Sequence, residues 1–151
     1  MAKFNYKMQN ILNIKMRLET QAKTEFSQAA AKAAAEEETM RKLILRKREY
    51  EQRLKEISTD RLDVDELRKG NDAVNVMMEL MKQQALALRI AQRNLEKARE
   101  KLNETMQERK IHEKLKEKAF EEFKLELNEE EKKEIDQLVS FNYNNNDEED
   151  K

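Results

Sequence analysis

Apolar residues in this chain recur at alternating intervals of three and four. In the first half, Met40, Leu43, Tyr50, Leu54 and Ile57 keep that spacing, interrupted only by Lys47. Residues 40, 47 and 54 can be taken as heptad a positions and 43, 50 and 57 as d positions. In the second half Val74, Met81, Leu88, Leu95 and Leu102 return at every seventh residue as a. Met77, Ala91 and Ala98 take d, with Gln84 as the polar exception. A repeat averaging 3.5 residues keeps one stripe of a helix turned toward a partner helix. The pattern therefore predicts two long helices sharing a narrow apolar seam.

Nothing between Lys7 and Ile57 breaks a helix, and the run Ala29–Ala35, broken only by Lys32, has very high helix propensity. Ser58–Asp63 is the cluster of capping residues in the middle of the chain, with Asp63 and Glu66 placed as N-cap and N3 partner. The expected elements are a helix over about 5–58, a turn over about 59–63 and a helix over about 64–127. A short helix over about 129–139, capped from Asn128, and a disordered acidic tail over 140–151 complete the expectation. The expected fold class is all-α, a long two-helix antiparallel coiled coil, and a monomer. Pairing residues equidistant from Leu62 brings every a opposite a d: Tyr50 meets Val74, Leu43 meets Met81, Phe26 meets Ala98 and Ala22 meets Leu102. Leu54 against Gly70 and Glu36 against Leu88 are weak layers. Further out the same register opposes Lys15 to Arg109, a poor core pair. The seam is therefore expected to shift by a stutter near Leu18 and Met106. Past the shift Phe4, Met8, Ile11 and Leu18 would face some of Met106, Ile111, Leu115, Ala119 and Phe123.

Composition narrows the choice of fold. Among 151 residues there are one Gly, no Pro and no Cys, with 42% charged and 5% aromatic side chains. A chain almost without turn formers is a poor candidate for sandwiches, barrels or doubly wound α/β folds. The net charge of −1 gives no reason to expect a nucleic-acid partner. Without cysteine there is neither a disulfide framework nor a thiolate zinc site. No stretch approaches the roughly 20 apolar residues of a transmembrane helix. The expectation is a cytoplasmic protein that touches a membrane only through partners.

Catalytic chemistry has little to stand on. His112, the single histidine, lies among charged neighbours and is read as a solvated surface group. One glycine cannot make a phosphate-binding loop. No catalytic residue, cofactor site or metal site is expected, and so no enzyme. Charge is uneven, however. Arg41–Lys55 holds seven basic and two acidic residues, whereas Glu121–Lys151 holds twelve acidic and four basic. Met77, Met78, Leu80 and Met81 cluster on the second helix. A two-stranded seam covers only a and d, so Met78 and Leu80 should reach solvent, as partner sites do.

Phe4-Asn-Tyr6, then Ile11-Leu12, Lys15, Arg17 and Glu19, resemble the opening of the FliJ family, coiled-coil proteins of the bacterial flagellar export apparatus. Leu43…Tyr50, Val74-x-x-Met77-x-x-x-Met81-x-Gln83 and Glu131-Lys-Lys-Glu-Ile-Asp136 also look like it. The resemblance implies a stalk-like antiparallel coiled coil in type III export of flagellar subunits, located at the cytoplasmic face of the inner membrane at the flagellar base. It implies three partners: the export ATPase ring, the cytoplasmic domain of the export-gate membrane protein FlhA, and export chaperones. By position the gate-binding stripe maps onto Thr39, Leu43, Arg46, Tyr50, Ala73, Met77, Leu80 and Gln84. Arg46 stands where the family can have an aromatic, and Ala73 where it can have a larger apolar residue. In the heptad register 39, 46, 73 and 80 are g positions, and two g flanks lie on the same side of an antiparallel pair. ATPase-ring binding is expected at Phe4, Met8, Ile11 and Phe123, which lie near the two chain ends. The alternatives are a general coiled-coil chaperone or scaffold, or a rotary ATPase central-stalk subunit, for which the turn at 58–63 is too short.

Overall fold

The computed structural model describes residues 2–60 and 63–149. Two helices make up nearly all of it, α1 (Gln9–Asp60) and α2 (Val64–Glu149), and they pack against each other. No strand occurs among the described residues. The all-α hairpin expected from the heptads is what the chain forms. Asp63 caps α2 as its position suggests: its carboxylate accepts a hydrogen bond from the Asp65 N–H at 3.1 Å, and its carbonyl accepts the Leu67 N–H. The centre of the turn, at Arg61 and Leu62, lies outside the described residues.

Both far ends depart from expectation. α1 begins at Gln9 rather than near residue 5. Phe4 instead packs its ring 5.2 Å from Phe120 and 5.4 Å from Phe123, so these aromatics are held by α2 and not by a helical first turn. α2 does not stop near Leu127, and no separate helix begins at 129. It runs unbroken to Glu149, through the segment expected to be disordered. Asn128 costs a helix only tenths of a kcal/mol, and no Pro or Gly follows Gly70 to interrupt the backbone ladder.

The chain divides into two compact units, a middle unit over 19–105 and a terminal unit of 2–18 with 106–149. In the middle unit Ala22, Ala33, Met77 and Ala91 are buried, and Phe26, Ala29, Met40, Leu43, Leu54, Met81, Leu88, Leu95 and Leu102 are half-buried. Small residues against large ones give the close packing a two-helix seam requires. The weak layers have specific remedies. Leu54 fills the space left by Gly70: a Cβ on that glycine would lie 2.6 Å from Leu54 Cδ1. Gln84 donates through Nε2 to the Glu36 carbonyl at 3.0 Å and to the Glu36 carboxylate. Phe26 lies under the guanidinium of Arg99, and Lys101 bonds Glu25 at 2.9 Å.

In the terminal unit Leu12 is the buried apolar residue, and the α2 positions of reduced exposure are Met106, Arg109, His112, Glu113, Lys116, Ala119, Phe123 and Leu127. The expected stutter is absent. Along α2 the spacing 102, 105, 109, 112, 116, 119, 123 keeps the alternation of three and four. The poor core pair is tolerated because each cation has an acidic partner. Lys15 Nζ bonds Glu108 at 2.8 Å, and Arg109 bonds Glu113 at 2.9 Å. The bond from Lys15 and its charge hold the Glu108 carboxyl below the usual range. His112 is not a solvated surface group. It sits at a d position, half-buried, with Nδ1 buried and lacking a hydrogen-bond partner.

Candidate functional site

Without a stutter, a different set of apolar residues is left outside the terminal unit's seam. Leu12 occupies an a position, so Ile11 and Leu18 fall at g and Ile14 at c. On α2, Leu115 falls at g and Ile111 at c. The antiparallel register puts all five on one flank, and they are 39%, 40%, 53%, 46% and 57% exposed in that order. Five large aliphatic side chains turned to solvent on one side form a contiguous face of the kind that marks a partner surface.

The residues expected to bind the ATPase ring coincide with this flank only in part. Ile11 belongs to the exposed flank, and Met8, 49% exposed, lies near its end. Phe4 and Phe123 do not belong to it. They face each other and Phe120 in a small aromatic cluster that secures the N-terminal residues on α2. Leu18, Ile111 and Leu115 were expected in the seam because they are apolar, and Ile14 was given no role; only the continuous heptad spacing through Arg109 and His112 places all four on the surface.

The expected gate-binding stripe lies wholly in the middle unit. Thr39 and Arg46 are exposed, and Leu80 is 38% exposed, as a g position should be. Leu43, Tyr50, Ala73 and Gln84 are half-buried. Met77 is 7% exposed and acts as core, so the stripe offers a partner its edges rather than that side chain. Gln84 is also engaged by Glu36, which leaves its amide little freedom for a second contact. Leu80 reaches solvent beside Val76, which is 56% exposed one turn earlier, and Met78 emerges on the opposite flank. Leu45, 51% exposed, stands with Lys42, Leu43, Arg46 and Glu49 around a shallow groove on α1.

Among the described residues no group of three His, Cys, Asp or Glu side chains converges as a metal site would. No described helix is long and apolar enough to cross a membrane. The described residues form a helical hairpin whose seam is covered and whose flanks carry the remaining apolar surface. The family model described as "Flagellar FliJ protein" matches residues 4–148. The chain belongs to the FliJ family and is a coiled-coil protein associated with flagellar export. No curated protein and no solved structure matches it.

Proposed function

We propose that this protein works as a non-catalytic component of flagellar type III export, in the cytoplasm at the base of the flagellum, and joins the export ATPase ring to the FlhA export gate. Family membership over residues 4–148 carries the assignment to flagellar export. One apolar face in each of the two units favours two partners. The exposed face of Ile11, Ile14, Leu18, Ile111 and Leu115 is the contact for the ATPase ring. The edge around Leu80, with Arg46 and Thr39, is the contact for the gate. Export chaperones are further partners on the exposed apolar surface. Any change in ATP hydrolysis then arises because the bound chain favours one conformation of the ATPase over another.

The test pairs two variants. Ile11→Asp with Leu115→Asp should abolish stimulation of the ATPase and leave affinity for the gate's cytoplasmic domain unchanged. Leu80→Asp should do the reverse, weakening gate binding roughly thirty-fold, as loss of about 2 kcal/mol at an interface centre does. All three positions are on the surface, so thermal stability should stay within about 0.5 kcal/mol of the parent. Normal melting with both activities retained would leave a general scaffold as the better reading.

A further inference from the structure

α2 carries a second stripe outside the seam. Ala73, Val76, Leu80, Ala87 and Ile90 repeat the alternation of three and four, with Gln83 as its polar member. Val76, Leu80 and Ile90 are 56%, 38% and 53% exposed, and Ala73 and Ala87 are half-buried at the edge of the hairpin seam. A helix already covered along a and d that repeats the pattern along c and g has the surface a third helix needs to pack by knobs into holes. On the same flank α1 presents Lys42 and Arg46, both exposed and neither with an ion-pair partner among the described residues, with Glu49 as the one carboxylate lining the groove beside them. The occupant that fits an apolar stripe beside a cationic rim is an amphipathic helix rich in carboxylates.

The chain itself supplies such a helix. Residues 128–149 contain eight acidic and two basic residues. They are helical, and Ile135, Leu138, Val139 and Phe141 stand 58%, 62%, 62% and 63% exposed. Leu138 and Phe141 line a groove with Glu134 and Gln137, so one carboxylate and one amide border these apolar side chains. Two copies of this segment would repel each other, whereas the segment and the 73–90 stripe are complementary in both charge and hydropathy.

We propose that the acidic helix of residues 128–149 of one copy docks on the 73–90 stripe of a second copy, with its apolar side chains against Val76, Leu80 and Ile90 and its carboxylates toward Lys42 and Arg46. The chain then covers, by self-association, the same flank that the gate reading assigns to FlhA. The inference does not rest on that reading, because it follows from the two surfaces alone.

The whole chain, which contains no native cysteine, permits a direct test without any export component. Chains bearing Leu80→Cys and Leu138→Cys are mixed at low ionic strength and oxidised. The mixed disulfide dimer should form several-fold more than between Leu138→Cys and a control Asn103→Cys chain. Added salt should reduce it, since the attraction is between exposed charges. Lys42→Glu with Arg46→Glu in the Leu80→Cys chain should bring the yield to the control level. Glu131→Lys with Glu134→Lys in the other chain should restore it. Circular dichroism of each variant establishes that the helices persist. A mixed yield no higher than control, or one indifferent to charge reversal, overturns the proposal. So does a chain carrying both cysteines that closes on itself while mixed dimers do not form, because the occupant is then its own segment.

Discussion

A histidine ring buried on one side of a helical seam either finds a hydrogen-bond partner or carries the cost of lacking one. His112 is in the second condition at Nδ1. An unsatisfied buried polar atom costs about 1–3 kcal/mol, whereas a leucine of similar length at a d position has no such atom. His112→Leu is therefore expected to stabilise the chain by at least about 1 kcal/mol, read as a shifted denaturation midpoint with an unchanged slope. An unchanged or lowered midpoint would mean that Nδ1 is satisfied in solution. The sequence placed His112 on the surface because its neighbours are charged, and the same reasoning rejected Lys15 and Arg109 as seam residues. What sequence could not show is that Glu108 and Glu113 lie within 2.8 Å and 2.9 Å of those cations. A long basic side chain can line a seam with its methylenes while its head reaches a flanking carboxylate.

At the level of elements, the legible features were those fixed by counting. The a and d spacing gave the two helices, and the capping residue at Asp63 gave the start of α2. The far end of α2 was misjudged because weak helix formers were read as a stop, although no residue there removes a hydrogen bond or forces a turn. Gly70 was expected only to weaken its layer, whereas its missing side chain is what admits Leu54. Alanine in place of a mid-helix glycine is worth up to about 1 kcal/mol in propensity. Here the added methyl would meet Leu54 Cδ1, and displacing that leucine should offset the gain. Gly70→Ala is thus expected to stabilise a Leu54→Ala chain more than it stabilises the parent, by a coupling of about 1 kcal/mol. Chemical denaturation of the four chains in this cycle measures it. Equal effects of Gly70→Ala in both backgrounds would show that the two residues are not opposed.

At the scale of the whole molecule, one register accounts for most of the cross-helix contacts in each unit, the Gln84–Glu36 hydrogen bonds reaching a turn further along. Leu54 opposes Gly70, Phe26 meets Arg99 and Glu25 meets Lys101 in the middle unit. Lys15 meets Glu108 and Phe4 meets Phe120 in the terminal unit. Each pair lies within about two residues of equal distance from Leu62, as alternating a and d layers demand. This register also decides which apolar residues become surface. A slip of one heptad would preserve the seam's composition but move Leu80 and Ile11 relative to the helix beside them. The register is therefore the feature on which both docking faces depend. Cysteines in place of Leu43 and Met81 should close within one chain on mild oxidation or with a short thiol-to-thiol linker. Cysteines at 43 and 88, a heptad further along α2, should not, because about 10 Å of added rise puts them beyond disulfide reach. A faster-migrating band that keeps its position after dilution before oxidation would identify the link as intramolecular. Efficient closure at 43 and 88 with none at 43 and 81 would mean that the seam is slipped by seven residues, and both faces would have to be redrawn on the new pairing.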